Sequence, residues 1–388
     1  MNLTSFYIRI NDMLIFFFIV TIYSSANLYL FYKLNSLINL GTSVDVLIGA
    51  VVFFMTIAPV LIPVYSNSGS ERTLRIFSYI GYMWLGFVVP FFSVSVLIDL
   101  YNLAVPLIDE GRALMAVSPG TAFIVSLILA LLINVYGFFE AANIRIKRLT
   151  INTQKLPRGV ERIRIAQISD LHLGIIVGDG MLKKVIQKIA NEAPDVIVST
   201  GDLVDGTIRH IKHLPERLRE LEPPLGKFAV MGNHEIYGGK TLTVKFIKDS
   251  GFTLLRGEGV TVGDAINIAG VDFMGGEVAA FKNGSKDKPE HEVLEGLQKG
   301  LFTLLLKHKS DVNDESLGLF DLQLSGHTHG GQIFPMNLAT MFIFSYHTGF
   351  SKLAKGSAIY TSRGTGTSGP PIRFLSRPEI TIIDIVKK

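Results

Sequence analysis

The sequence predicts an N-terminal all-α bundle of four transmembrane helices followed by a C-terminal α/β domain of two packed sheets flanked by helices. Two observations predict it. The chain is 48% hydrophobic and only 18% charged, too apolar for a water-soluble globular protein, and the excess is confined to four long apolar runs ahead of Arg145. From Ile163 the pattern changes to short β-branched runs alternating with amphipathic helices. With 388 residues the chain also exceeds what one compact core commonly holds.

A helix needs about 20 apolar residues to cross the hydrocarbon core. Residues 13–31 carry no charge and form the first candidate. Residues 46–65 form the second, 76–98 the third, and the fourth lies within 113–139, densest over 120–139. Pro59 and Pro63 are tolerable inside a bilayer, where neighbouring helices re-satisfy the freed backbone groups. A cleaved signal peptide would need a stronger basic stretch before Met13, and it would not explain three further apolar runs. Residues 1–145 are read as a membrane anchor, 146–162 as a short linker and 163–388 as the soluble domain.

Flanking charges set the expected orientation. One side carries Arg9, Arg72, Arg75, Arg145, Lys147, Arg148, Lys155 and Arg158, and the other only Lys33 and Arg112. That bias puts both termini and the soluble domain in the cytoplasm, with the lipid bilayer as a partner. The net charge of +4 and the sequence pI of 9.0 are mild, and no dense Lys/Arg tract marks a nucleic-acid partner. The chain has no cysteine, which excludes disulfides and thiolate metal ligands and leaves the compartment open. Nothing in the sequence fixes an oligomeric state.

In the soluble part, strands are expected at 162–168, 195–200, 228–231, 252–255, 266–269, 302–307, 319–324, 358–361 and 380–385, with helices at 181–192 and 208–221. Polar residues cluster just past strand ends. Asp170 and His172 follow the first strand, Asp202 the second, and Asn233, His234 and Glu235 the third. His308 ends a later strand, and His327 and His329 follow another. Ligands in α/β sheets gather at the carboxyl ends of strands. Gly201, Gly232 and Gly326 let the backbone turn sharply and approach closely there.

Asp170, His172, Asp202, Asn233, His308, His327 and His329 mix carboxylate, amide and imidazole donors. Such a set suits Mn, Fe or Zn and is too nitrogen-rich for a dedicated Ca or Mg cage. Seven side chains exceed what one ion takes while keeping an open position, so a pair of divalent ions sharing one carboxylate fits better. Two ions about 3.5–4 Å apart can clamp a phosphate, ionise a bridging water and stabilise a departing oxygen.

The segments IAQISDLHLG, VSTGDLVDG, VMGNHEIYGG, LLLKH and LSGHTHGGQ are similar, in order, to the five motif blocks of the calcineurin-like metallophosphoesterases. The tail SRGTGTSGPPIRFLSRPEITII resembles the membrane-associated bacterial branch of that superfamily. The resemblance implies a four-layer α-β-β-α sandwich and a bacterial inner-membrane location. It implies that Asp170, His172 and His329 hold one metal, that Asn233, His308 and His327 hold the other, and that Asp202 bridges both. It assigns His234 to the scissile phosphate as hydrogen-bond donor or general acid. The implied activity is hydrolysis of a phosphodiester, phosphomonoester or pyrophosphate by metal-bound hydroxide. Similar membrane-linked members cleave the pyrophosphate of UDP-2,3-diacylglucosamine, so a lipid-linked substrate is among the expectations. A non-catalytic scaffold or sensor is the alternative class. Glu235 stands where many relatives have Asp, and Lys309-Ser310 departs from the pattern after His308.

Other residues carry two readings. Asp205 could orient a ligand or be a solvated loop carboxylate. His210 and His213, with Arg209 and Lys212, read as a solvated face that could touch an anionic headgroup. Arg363 and Arg373 could hold a phosphate or pair structurally. Residues 334–350 (FPMNLATMFIFSYHTGF) are almost free of charge. They read first as core and second as an apolar lip beside the site that meets a membrane or an acyl chain.

Overall fold

The computed structural model describes residues 3–37, 41–65, 70–108, 115–205, 208–237, 239–273 and 289–388. Of the positions discussed above, Arg112, Ala113, Gly206 and Gly238 lie outside the described residues. Two compact units emerge, one comprising Met1–Phe139 with Gly369–Phe374, the other Glu140–Ser368 with Leu375–Lys388.

Among the described residues, the first unit contains four long helices, α1 (Leu3–Leu37), α2 (Thr42–Tyr65), α3 (Glu71–Ile108) and α4 (Pro119–Ala141). Among the described residues, three segments are long and apolar enough to cross a membrane: Thr42–Ile62, Glu71–Val105 and Pro119–Ala141. Ala26, Leu30, Val88, Phe91 and Ala130 pack together from α1, α3 and α4. Large apolar side chains such as Leu132 and Phe139 point outward, as they do in helices solvated by lipid. The helices are less free of charge than their composition suggests. Lys33 of α1 meets Asp99 of α3 at 2.6 Å, and Tyr29 donates to the same carboxylate. Gly369–Phe374 joins this unit. The Ile372 side chain lies against Gly86 of α3 and Gly137 of α4, where an added Cβ would come within 2.7 and 3.1 Å of it. The Arg373 N–H donates to the Gly137 carbonyl at 2.9 Å, and Phe374 stacks edge-on against Tyr136.

Among the described residues, the second unit carries twelve strands in two six-stranded sheets. The first sheet runs β1 (Arg145–Thr153), β12 (Glu379–Lys387), β2 (Arg162–Ile168), β3 (Val196–Ser199), β4 (Lys227–Ala229) and β5 (Thr253–Leu254). The second runs β10 (Gly349–Lys352), β11 (Ala358–Thr361), β9 (Leu322–Ser325), β8 (Phe302–Lys307), β7 (Ile266–Val271) and β6 (Glu258–Val262). Successive strand residues face opposite ways, and the cores follow that alternation. Ile163, Ile165, Val196, Val198, Phe228 and Ile383 share one core with Ile266, Ile268, Leu304, Leu306, Leu322 and Leu324 of the other sheet. Their neighbours Ala166, Ile168, Ile197, Ala229 and Ile382 turn the other way. They pack with Leu182, Val185 and Ile189 of α5 (Asp179–Glu192), Leu214 and Leu218 of α6 (Leu214–Arg219), and Phe246 and Ile247 of α8 (Lys240–Asp249). On the second sheet, Ala269 and Leu305 pack with Val293 and Leu294 of α9 (Glu290–Glu295).

Three sequence expectations change. Residues 146–162, expected as a linker, contain most of β1, which pairs in parallel with β12 from Arg145–Glu379 to Thr153–Lys387. Its side chains are exposed or half-buried, with Lys147 and Arg148 both exposed; Ile146 joins one core and Leu149 and Ile151 the other. Exposed Lys and Arg are common on edge strands because they discourage further pairing, and here that pattern reads like juxtamembrane charge. The expected helix at 208–221 shortens to α6, which opens at Leu214 with the helix-compatible Pro215 in its first turn. Residues 334–350 are not core. They form α10 (Met336–Ile343), in which no residue is buried, and lead into β10.

Candidate metal centre

Strands β2, β3 and β4 run parallel and adjacent, so their carboxyl ends open on one edge. Strands β8 and β9 do the same in the second sheet. Asp170 and His172 leave β2, Asp202 leaves β3, and Asn233 opens α7 (Asn233–Tyr237) after β4. His308 leaves β8, and His327 and His329 leave β9. Every proposed ligand therefore sits one to four residues beyond a strand end, as the sequence predicts.

The side chains converge in two groups. Asp170, His172 and His329 bring one ligand atom each within 4.8 Å of one another, and Asp202, His308 and His327 do likewise. His172 Nε2 and His329 Nε2 approach to 3.0 Å, and His308 Nε2 lies 3.2 Å from both Asn233 Oδ1 and His327 Nδ1. Asp202 Oδ2 stands 3.3 Å from His308 Nε2 and 3.7 Å from His172 Nε2, where it faces both groups. Imidazole nitrogens that aim at one another, rather than at separate protein donors, present the lone-pair array that divalent ions take. The residues present thus fit a pair of ions.

Asp170, His172, Asp202, His327 and His329 all adopt positive φ, between 49° and 72°. Each such residue costs about 1–2 kcal/mol, and strain of this kind gathers at functional sites. Two glycines create the space. A Cβ at Gly232 would sit 2.1 Å from Asp202 Oδ1, and one at Gly326 would sit 2.2 Å from Asp170 Oδ2. Glu235, fully buried, accepts from the backbone N–H of Asp202, Val204 and Gly232 at 2.9, 3.1 and 2.7 Å. It fastens the two loops that present Asp202 and Asn233, so its longer side chain serves the loop and not the ions.

Charge is balanced within the site. Burial would raise the Asp202 carboxyl, but the charges of His308 and His234 and the His308 hydrogen bond hold it well below the usual carboxylate range. Burial would lower His308, yet the Asp202 charge and hydrogen bond lift it to about 10. His327 goes the other way, to about 3, through burial and the His308 charge. Ions bound here would take the place of these protons as the positive partners of Asp202.

Asp205 resolves toward the first of its two readings. Its Oδ1 lies 2.8 Å from His234 Nδ1 and 3.3 Å from His172 Nδ1. Burial opposes ionisation of Asp205, but the two histidines hold it below its ordinary value. In return, Asp202 and Asp205 overcome the burial of His234 and raise it to about 9. Arg363 pairs with Glu379 at 3.2 Å, and Arg373 is fully buried.

Sequence reasoning misses two parts of the site. The C-terminal tail holds the ligand loops: the Thr365 and Gly366 N–H groups donate to the carbonyls of Ser169 and Asp170, and the Ser376 hydroxyl donates to that of His329. Two aromatic rings wall the second group, with Phe273 and Phe344 centred 5.6 and 5.7 Å from the His327 ring. The Gly-rich tail is legible as unusual, but Thr365 and Gly366 meet partners 196 residues away and Ser376 one 47 residues away.

The model of the calcineurin-like phosphoesterase domain matches residues 163–331. A metallophosphoesterase of Aquifex aeolicus (strain VF5) is 40% identical over 261 residues, covering 67% of this chain and 98% of that one. The chain belongs to the calcineurin-like phosphoesterases. It is accordingly a metal-dependent phosphoesterase. A metallophosphoesterase of Campylobacter jejuni is 26% identical over 389 residues, covering 97% of this chain and 99% of that one. A zebrafish (Danio rerio) protein described as a transmembrane protein with metallophosphoesterase domain is 28% identical over 273 residues, covering 67% of this chain and 62% of that one.

Asp205→Asn is expected to lower kcat by about 10–100-fold, the usual cost of losing a group that orients a ligand or catalytic histidine. Metal content should stay unchanged. Steady-state kinetics with metal analysis checks this, and an unchanged kcat would remove Asp205 from the site.

Proposed function

We propose that this phosphoesterase is anchored by four membrane spans with its α-β-β-α catalytic domain in the cytoplasm of a bacterial cell, and that it hydrolyses a lipid-linked phosphodiester or pyrophosphate. The observation that carries the hydrolytic part is the position of Asp202 Oδ2 between the two groups of converging donors. Asp170, His172 and His329 would hold one ion and Asn233, His308 and His327 the other, with Asp202 shared. Mn, Fe or Zn suits this set. The ions, when bound, supply Lewis acidity toward the phosphate and make water acidic enough to attack. The protein's own residues do the rest. His234, oriented through Nδ1 by Asp205 and kept protonated by the two carboxylates, stands as the proton donor to the leaving oxygen.

Apolar surroundings favour a lipid-linked leaving group. Phe273 and Phe344 flank His327, and α10, which precedes Phe344, buries none of its residues. A UDP-2,3-diacylglucosamine-like pyrophosphate is one substrate of that kind. The complete donor set argues against a scaffold.

The test is a substrate screen on detergent-solubilised full-length protein supplied with Mn, with metal content measured alongside. A diacyl-linked phosphodiester and pyrophosphate should turn over faster than bis(p-nitrophenyl) phosphate. Equal rates would remove the lipid-linked reading, and no turnover on any member would favour the scaffold. For the orientation, alkaline phosphatase fused after Lys388 should be inactive in cells, and an active fusion would overturn it.

A further inference from the structure

Helix α10 is built as a surface and not as core. Phe342 is 91% exposed, Ile343 70%, Met341 54%, Met336 48% and Leu338 46%. Five large apolar side chains in one eight-residue helix, all turned to solvent, make a patch that soluble monomers rarely leave uncovered. The helix is mounted tightly on the candidate metal centre. The Gly331 Cα passes so close that a Cβ there would lie 2.2 Å from the Asn337 backbone, and Phe344, one residue past the helix, stacks on His327.

Charge identifies what covers the patch. Between Asp321 and Glu379 the chain has no acidic residue and five basic ones, of which Arg363 pairs with Glu379, Arg377 with Glu140 and Arg373 is buried, leaving Lys352 and Lys355. Lys352 and Lys355, which follow α10 most closely, are exposed. An apolar helix in an acid-free, lysine-bearing segment complements an anionic lipid surface. It does not complement itself, since a two-fold contact between copies would set like charges against each other. The chain is also leashed to the membrane-length helices twice. Only three residues separate α4 from β1. Gly369–Phe374 belongs with the helices and Leu375–Lys388 with the second unit, so the chain is joined to the helices there as well.

We propose that α10 docks in the headgroup region of an anionic bilayer, with Met341, Phe342 and Ile343 below the phosphates, so that the metal centre opens at the lipid surface. This rests on the membrane-anchored reading above and not on the identity of the phosphoester.

The chain has no cysteine, so Phe342→Cys and Met341→Cys each give a single labelling site at an exposed position. Full-length protein carrying a nitroxide there is reconstituted in phosphatidylethanolamine–phosphatidylglycerol vesicles, with Lys245→Cys, exposed on α8, as the water-facing control. Labels at 341 and 342 should collide with oxygen and be shielded from a nickel chelate, at a depth of about 5–10 Å below the phosphates. They should lie shallower in phosphatidylcholine vesicles. Nickel accessibility equal to that at 245 overturns the proposal. So does dipolar broadening at 342 that disappears on dilution with unlabelled protein, which would make a second copy the occupant. Protein that fails to float with the vesicles overturns the anchored reading as well. None of these readouts depends on catalysis, so a failure here is distinct from a failure of the phosphoesterase assignment.

Discussion

Asp202→Asn is expected to reduce phosphoester turnover by at least about 10³-fold while leaving the domain folded. Asp202 is the carboxylate that faces both donor groups, 3.3 Å from His308 Nε2 and 3.7 Å from His172 Nε2. It is buried, and its charge sets the protonation of His308 and His234. Asparagine matches its shape and can still accept the His234 N–H, which now reaches Oδ1 at 2.9 Å. What is lost is the negative charge that would hold two cations. Metal-ion stabilisation of transferring phosphate amounts to several kcal/mol, and each 1.36 kcal/mol is tenfold in rate, which gives the figure of about 10³. Turnover of bis(p-nitrophenyl) phosphate, metal content and circular dichroism together check it. A variant within about tenfold of the native rate would remove Asp202 from the centre.

Gly326→Ala should both empty the first half-site and destabilise the domain by about 3 kcal/mol, the upper range for overpacking a filled interior. The added Cβ would stand 1.9 Å from Ser169 Oγ and 2.2 Å from Asp170 Oδ2. Neither atom has anywhere to go. Ser169 donates to Asp170, and the Asp170 carboxylate accepts the His327 N–H at 3.0 and 3.1 Å through its two oxygens. Relief requires the carboxylate to swing away from His172 and His329, and that swing dismantles the site. Gly180→Ala is the control, because a Cβ there meets nothing within 4 Å. Thermal unfolding with metal analysis should show a large loss for Gly326→Ala and none for Gly180→Ala. Retained metal and an unchanged midpoint in Gly326→Ala would show that the loop relaxes without cost.

Both residues were visible in the sequence, and for a local reason. A functional residue in this fold follows its strand by one to four positions, so a β-branched run and the Asp, Asn or His after it lie in one short window. Ile165 to Asp170, Val196 to Asp202 and Leu304 to His308 are each read without knowing what they meet. Apolar runs of membrane length are equally local. The interior alternation, with Ile163 and Ile165 on one face and Ala166 and Ile168 on the other, follows from the pleat.

Other features depend on partners far away in the chain. Arg145–Thr153 looks like a basic linker until Glu379–Lys387 arrives beside it and supplies a ladder. Asp205 is an unremarkable loop acid until His234, almost thirty residues on, turns its Nδ1 toward it. The apolar run at 334–350 has the composition of core, yet among the described residues nothing buries α10.

The sequence by itself therefore determined the chemistry of this protein: a chain with apolar runs of membrane length whose strands deliver Asp, Asn and His donors in the order of a metal-dependent phosphoesterase. The tertiary structure alone decided that Asp202 stands between the two groups, that the C-terminal tail clamps the loops of Asp170 and His329, and that α10 faces outward. The physical reason is range. Side-chain identity and strand periodicity are set within a few residues, whereas pairing, burial and the direction of a carboxylate are set by segments that meet only when the chain has folded.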